Sequence, residues 1–123
     1  MLNLNFTILY VNSPARSAEF YTHLLGVEPV ESSATFAMFV TASGSKLGLW
    51  SHHTVEPVAT ALGGGGELVF ALADEAAVDR LHRQWHEEGI TILQPPLRMD
   101  FGYTFTASDP DGHRLRAYYP FAE

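Results

Sequence analysis

The chain has 123 residues, 46% hydrophobic and 12% aromatic, which suffices for one buried core and falls short of two ordinary domains. That composition excludes a disordered chain, and no apolar run approaches the ~20 residues of a membrane-spanning helix. A formal net charge of −7 opposes binding to a phosphate backbone, so neither nucleic acid nor membrane is expected as a partner. The absence of cysteine removes disulfides, thiolate metal sites and thiol catalysis. The opening MLNLNFTILYV lacks the basic start and the cleavage site of a secretory signal, and the expected location is cytoplasmic.

Leu4 to Val11 alternate, with Leu9 and Val11 on one face and Phe6, Ile8 and Tyr10 on the other, which predicts a strand covered on both sides. Ser13-Pro14 supplies an N-cap and a proline at the first helical position; Phe20, Tyr21, Leu24 and Leu25 then mark an apolar helical face that ends at Gly26. Val27–Val30, Thr35–Thr41 and Lys46–Ser51 follow as short strands, the last two joined by the turn Ala42-Ser43-Gly44-Ser45. Thr54 to Gly66 are weakly patterned around Pro57 and four glycines, which fits a linker. A phosphate-cradling loop is disfavoured there, because the glycines lead into the strand-like Leu68-Val69-Phe70-Ala71-Leu72 and no Lys-Ser/Thr follows.

The second half repeats this order. A strand over Glu67–Ala73 is followed by Asp74 as N-cap, a helix with Val78, Leu81 and Trp85 on one face, a stop at Gly89 and a strand at Ile90–Leu93. Phe101 to Pro120 reads as two strands around the turn Asp109-Pro110-Asp111-Gly112, in which Asp accepts a local backbone hydrogen bond and Pro presets φ. Arg114, Arg116 and Tyr118 share one face of the last strand, and Leu115, Ala117 and Tyr119 the other. The fold class is therefore α+β: a single domain over 1–123 built from two βαβββ modules, about 1–55 and 67–123, with a linker at about 56–66.

Leu9-Tyr10-Val11, Ser17 with Phe20-Tyr21 and Leu25-Gly26, Asp74, Glu88-Gly89 and Asp109-Pro110-Asp111-Gly112-His113, in that order, resemble the vicinal oxygen chelate superfamily of glyoxalase I, bleomycin-resistance proteins and extradiol dioxygenases. Within it, Leu49-Trp50-Ser51, Glu56-Pro57-Val58-Ala59, Phe101-Gly102, Thr104-Phe105 and the turn from Ser108 to His113 look most like the phenazine-antibiotic-resistance branch. The resemblance implies a curved mixed sheet with a cavity, a homodimer, and sequestration of a planar aromatic antibiotic of the phenazine or quinoxaline type as a means of resistance. The alternative it leaves open is an enzyme of the same fold, a glyoxalase-like lyase or isomerase or a dioxygenase, working through unconventional metal ligands or acid-base chemistry. The superfamily's four metal-ligand positions fall on Phe6, at or beside Gly48, on Glu67 or Leu68, and on Arg116. Only Glu67 is an ordinary ligand and a guanidinium repels a cation, so neither a metal nor another cofactor is expected.

Other candidate chemistry is thinner. His82 and His86 stand at i and i+4, yet Val78, Leu81 and Trp85 claim the buried face of their helix, which leaves the histidines solvent-facing or at its boundary. Strand alternation sends His52 and His53 to opposite faces. Ser51 has neither a nucleophile elbow nor an orienting carboxylate. Glu67 is the one weak catalytic candidate, through a pKa raised by burial; the competing and favoured expectation is an ion pair with Arg116 or a solvated carboxylate. The aromatic signal is stronger, although Phe36, Phe39 and Phe105 serve equally well as core. The expected ligand-binding set is Phe6, Phe39, Trp50, Tyr103, Phe105 and Tyr118, with Arg116 or Arg98 as an anchor for a carboxylate.

Overall fold

The computed structural model describes residues 1–122. The chain divides into two compact units, with the boundary between Gly63 and Gly64. Among the described residues, no helix is long and apolar enough to cross a membrane.

The first unit contains β1 (Phe6–Val11), α1 (Pro14–Leu25), β2 (Glu31–Ser32), β3 (Phe36–Val40) and β4 (Lys46–Ser51). Its four strands form a mixed sheet in the order β1-β4-β3-β2, with β1 parallel to β4 and the other pairs antiparallel. At the start of α1 the Ser13 hydroxyl accepts the Arg16 N–H at 3.3 Å, and at its end Gly26 takes the left-handed conformation (φ 71°) and donates its N–H to the Thr22 carbonyl. The buried face of α1 is Pro14, Ser17, Ala18 and Tyr21, shifted from the expected one. Small residues at 17 and 18 let the helix approach Val11, Ala37, Phe39, Leu47 and Leu49 on the sheet, while Phe20, Leu24 and Leu25 remain half-buried at its flank. The strand expected at Val27–Val30 does not form. Pro29 has no N–H to give, so pairing begins with the Val30 N–H on the Met38 carbonyl and the short strand falls at Glu31–Ser32.

The second unit repeats the plan with β5 (Glu67–Ala71), α2 (Glu75–Glu87), β6 (Thr91–Met99), β7 (Gly102–Ser108) and β8 (Arg114–Pro120), in the sheet order β5-β8-β7-β6. Here β5 is parallel to β8. The Asp74 carboxylate caps α2 by accepting the Ala77 N–H at 2.7 Å. Val78 and Trp85 are buried on the sheet, where Trp85 meets Phe105 edge-on at 5.4 Å, above a layer completed by Ala107, Leu115 and Ala117. β6 runs well beyond the four residues expected, straight through Pro95-Pro96. It lies at the edge of the sheet, and two register shifts flank Gln94, so neither proline has to donate to a ladder. At the β7–β8 turn one oxygen of Asp109 accepts the N–H groups of Asp111 and His113, each at 2.9 Å.

Candidate functional site: two sheet faces turned away from the helices

In the first unit the register places Phe6, Ile8 and Tyr10 of β1, Lys46, Gly48 and Trp50 of β4, and Phe36, Met38 and Val40 of β3 on the sheet face opposite the α1-covered one. Gly48 is the centre of this face. A Cβ added there would stand 2.9 Å from Cε1 of Phe6 and 3.0 Å from Cζ of Phe36, so the two rings close over the bare backbone from neighbouring strands. Trp50 meets Phe36 edge to face, with centroids 6.1 Å apart at 87°, and the Lys46 ammonium lies 5.8 Å from the centre of the Phe6 ring. Phe6, Phe36 and Trp50 are all half-buried, and Ile8 remains 42% exposed. The result is an aromatic platform with one cation at its margin.

The second unit's corresponding face carries Glu67 and Val69 of β5, Arg114, Arg116 and Tyr118 of β8, and Thr104 and Thr106 of β7. Arg116 donates from Nε to one oxygen of Glu67 at 2.7 Å and from Nη2 to the other at 2.9 Å, while Nη1 reaches the Thr104 hydroxyl at 3.3 Å. Thr104 passes its own proton to the Ala117 carbonyl at 2.9 Å. Phe101 lies beside this group, its ring centre 5.8 Å from the guanidinium and 5.9 Å from the Tyr118 ring in an edge-on contact. The hydrogen bond from Arg116 holds the Glu67 carboxyl below its ordinary pKa, outweighing the opposing effect of burial, and the same bond pushes the Arg116 pKa up. Glu67 is therefore a poor proton acceptor, and the ion pair rather than a raised pKa describes it.

These contacts also decide whether a divalent metal suits the superfamily's ligand positions. Phe6 and Gly48 offer no donor atom, and both oxygens of Glu67 are committed to the guanidinium that occupies the remaining position. The residues do not fit a metal ion. Among the described residues, no group of three or more His, Cys, Asp or Glu side chains is arranged to hold one elsewhere.

Of the ligand-binding residues expected from sequence, Phe6 and Trp50 lie together on the first face, and Arg116 and Tyr118 on the second. Phe39, Tyr103 and Phe105 do not belong with them. Phe39 and Phe105 are fully buried on the helix-facing sides, the latter between Trp85 and His82, and the Tyr103 hydroxyl donates to Asp79 of α2 at 2.7 Å. Each is out of phase with its site-facing neighbours by one strand position, which turns a side chain to the other face. Sequence reasoning left Phe36 undecided and missed Lys46; Lys46 alternates in step with Trp50 along β4, whereas Phe36 joins them only through the cross-strand register Phe36↔Trp50. His52 and His53 are not on opposite faces either: β4 ends at Ser51, the Thr54 and Val55 N–H groups bond back to the Ser51 carbonyl, and that turn brings the two rings to 3.9 Å. His53 Nε2 lies 3.2 Å from the Asn12 side-chain oxygen. His82 is half-buried against Phe105 and His86 is exposed, as the helix pattern predicts.

Residues 3–117 match the family model described as the Glyoxalase/Bleomycin resistance protein/Dioxygenase superfamily. The chain is 31% identical over 115 residues to the phenazine antibiotic resistance protein EhpR of Enterobacter agglomerans, a match covering 91% of this chain and 88% of that protein. Among solved structures, a protein from Agrobacterium tumefaciens determined by solution NMR is 56% identical, covers 99% of this chain and 100% of its own, and superposes with a TM-score of 0.92. A glyoxalase-related enzyme from Fulvimarina pelagi is 22% identical at a TM-score of 0.83, with 97% of this chain and 88% of that one covered, a likeness of fold.

Proposed function

The chain belongs to the glyoxalase/bleomycin resistance protein/dioxygenase superfamily, and from that premise we propose that it is a metal-independent binding protein that sequesters a planar aromatic small molecule and so confers resistance to it. The observation that carries this reading is the platform of Phe6, Phe36 and Trp50 around Gly48, where ring faces and edges are presented to a flat partner without any catalytic group among them. The relative named as a phenazine antibiotic resistance protein supports the ligand class. A stacked ring contributes about 0.5–1.5 kcal/mol beyond its burial, so two or three such contacts reach micromolar binding only together with apolar desolvation and a polar anchor. The acid-base enzyme is the weaker reading, because Arg116 keeps Glu67 ionised.

Titration with phenazine and quinoxaline compounds should quench Trp50 emission, and Trp50→Ala should weaken binding by about tenfold while the far-ultraviolet circular dichroism stays that of the parent. Unchanged emission together with flat calorimetry across such a panel would remove the proposal, and a ligand consumed over time would replace it with the enzyme. The proposal includes a homodimer, since Ile8 and Val69 stay 42% and 53% exposed on faces that no helix covers. Sedimentation at micromolar concentration checks this, and a monomer with full ligand affinity would refute it.

A further inference from the structure

We propose that Lys46, and not Arg116, is the residue that recognises a negative charge on the ligand, so that the first unit's platform prefers planar aromatic anions over their neutral counterparts. The inference rests on the binding function proposed above and adds to it the charge and the orientation of the ligand.

Arg116 is the conspicuous cation near an aromatic cluster, but its charge is already balanced by a carboxylate. Nε and Nη2 are paired with the two oxygens of Glu67, and Nη1 turns to Thr104, so an incoming carboxylate would meet a neutralised pair on a guanidinium whose side chain is only 17% exposed. Lys46 is placed differently. Its ammonium lies over the Phe6 ring, and among the described residues no carboxylate stands within ion-pair distance of it. A cation over a ring face keeps its donors available on the side away from the ring, and the half-buried surroundings limit the screening by water that weakens exposed pairs.

The strand geometry sets the orientation. Lys46, Gly48 and Trp50 are alternate residues of β4 with side chains on one face, so Lys46 and Trp50 stand about 13 Å apart at roughly 3.3 Å per residue, with Gly48 midway. Because Gly48 has no side chain, the path between them is floored by the Phe6 and Phe36 rings and carries no obstructing group of its own. A fused-ring ligand laid along β4 meets Trp50 with its distal ring and presents an acidic substituent to Lys46. Neither of the flanking residues paired with Lys46, Phe6 on β1 and Val40 on β3, can compete for the anion.

The test compares phenazine-1-carboxylate with phenazine-1-carboxamide, which share a ring system and differ in charge. In the parent protein the carboxylate should bind about tenfold or more tightly than the amide, with an affinity that falls as salt is raised. Lys46→Met should remove that preference and bring the two affinities together, Lys46→Arg should retain it, and Arg116→Met, combined with Glu67→Gln to avoid a stranded carboxylate, should leave the ratio of the two affinities as it was. A ratio unaffected by Lys46→Met, or abolished by the Arg116 double variant, overturns the inference while the binding function stands. Binding of neither compound, with Trp50 emission silent, overturns the binding function and this inference with it.

Discussion

Phe105 was a candidate pocket wall by sequence and is a core residue by structure, and the two roles predict opposite responses to Phe105→Ala. The ring has no exposed surface and meets Trp85 and His82 edge-on at 5.4 Å each. Truncation removes the transfer energy of the buried ring and leaves a void that α2 cannot fill without losing its own contacts, at a cost of about 3–5 kcal/mol. Against a typical total stability of about 5–15 kcal/mol this is a large fraction. With a urea slope of about 2 kcal/mol per molar, the unfolding midpoint should fall by roughly 2 M. Denaturation followed by circular dichroism and by Trp85 emission measures it. Phe105→Leu keeps most of the volume and should cost about 1.5 kcal/mol or less, which covers the case in which the alanine variant does not fold. A midpoint shift below about 0.5 M in urea, accompanied by a tenfold loss of ligand affinity, would refute the core assignment and return Phe105 to the binding surface.

Two further outcomes follow from the contacts. Gly48→Val should push the Phe6 and Phe36 rings aside, at a stability cost of about 1–3 kcal/mol, and should weaken aromatic ligands as strongly as Trp50→Ala; calorimetry showing parent affinity would mean the rings are not the floor of the site. The Glu67 carboxyl is held below its ordinary 4.5 by Arg116, so its contribution to stability is complete above that value and is lost as pH falls through the lower, folded-state value. The stability gap between the parent and Glu67→Gln should accordingly be constant at neutral pH and shrink below about pH 4.5, and a gap independent of pH would mean the ion pair adds nothing.

What was legible in the sequence was what is decided locally. Ser13-Pro14 and Asp74 start their helices because a side-chain oxygen within a few residues satisfies the first free N–H groups, and Lys46–Ser51 is a strand whose ends are marked by its own turns. That the strand expected at Ile90–Leu93 continues through Pro95-Pro96 depends on its lying at a sheet edge, which only the tertiary arrangement decides. The site divides along the same line. Phe36 and Phe39 are three positions apart in one strand and so point to opposite faces, which the sequence does show. Which of the two faces α1 covers depends on the register Phe36↔Trp50 across strands, which it does not. The role of Gly48 was hidden for a different reason: a glycine advertises nothing, and its purpose is visible only in the rings that occupy the space above it.

The internal repeat gives these details a common frame. In the first unit β1 and β4 pair Phe6 with Lys46 and Ile8 with Gly48; in the second, β5 and β8 pair Glu67 with Arg114 and Val69 with Arg116. Phe6 thus corresponds to Glu67, Gly48 to Arg116, and Trp50 to Tyr118. At equivalent positions of one supersecondary plan, the first module has a ring closing over a bare backbone and the second has a bidentate ion pair. Both arrangements satisfy themselves. The ring fills the space a side chain at Gly48 would take, and the guanidinium neutralises the carboxylate, so each face is complete without a bound cation. On the second module's face a metal would have to break two charge-assisted hydrogen bonds and meet the repulsion of Arg116, and on the first module's face Phe6 and Gly48 offer it no ligand. A flat organic molecule needs neither change, because Phe6, Phe36 and Trp50 already present rings and Lys46 already presents a charge.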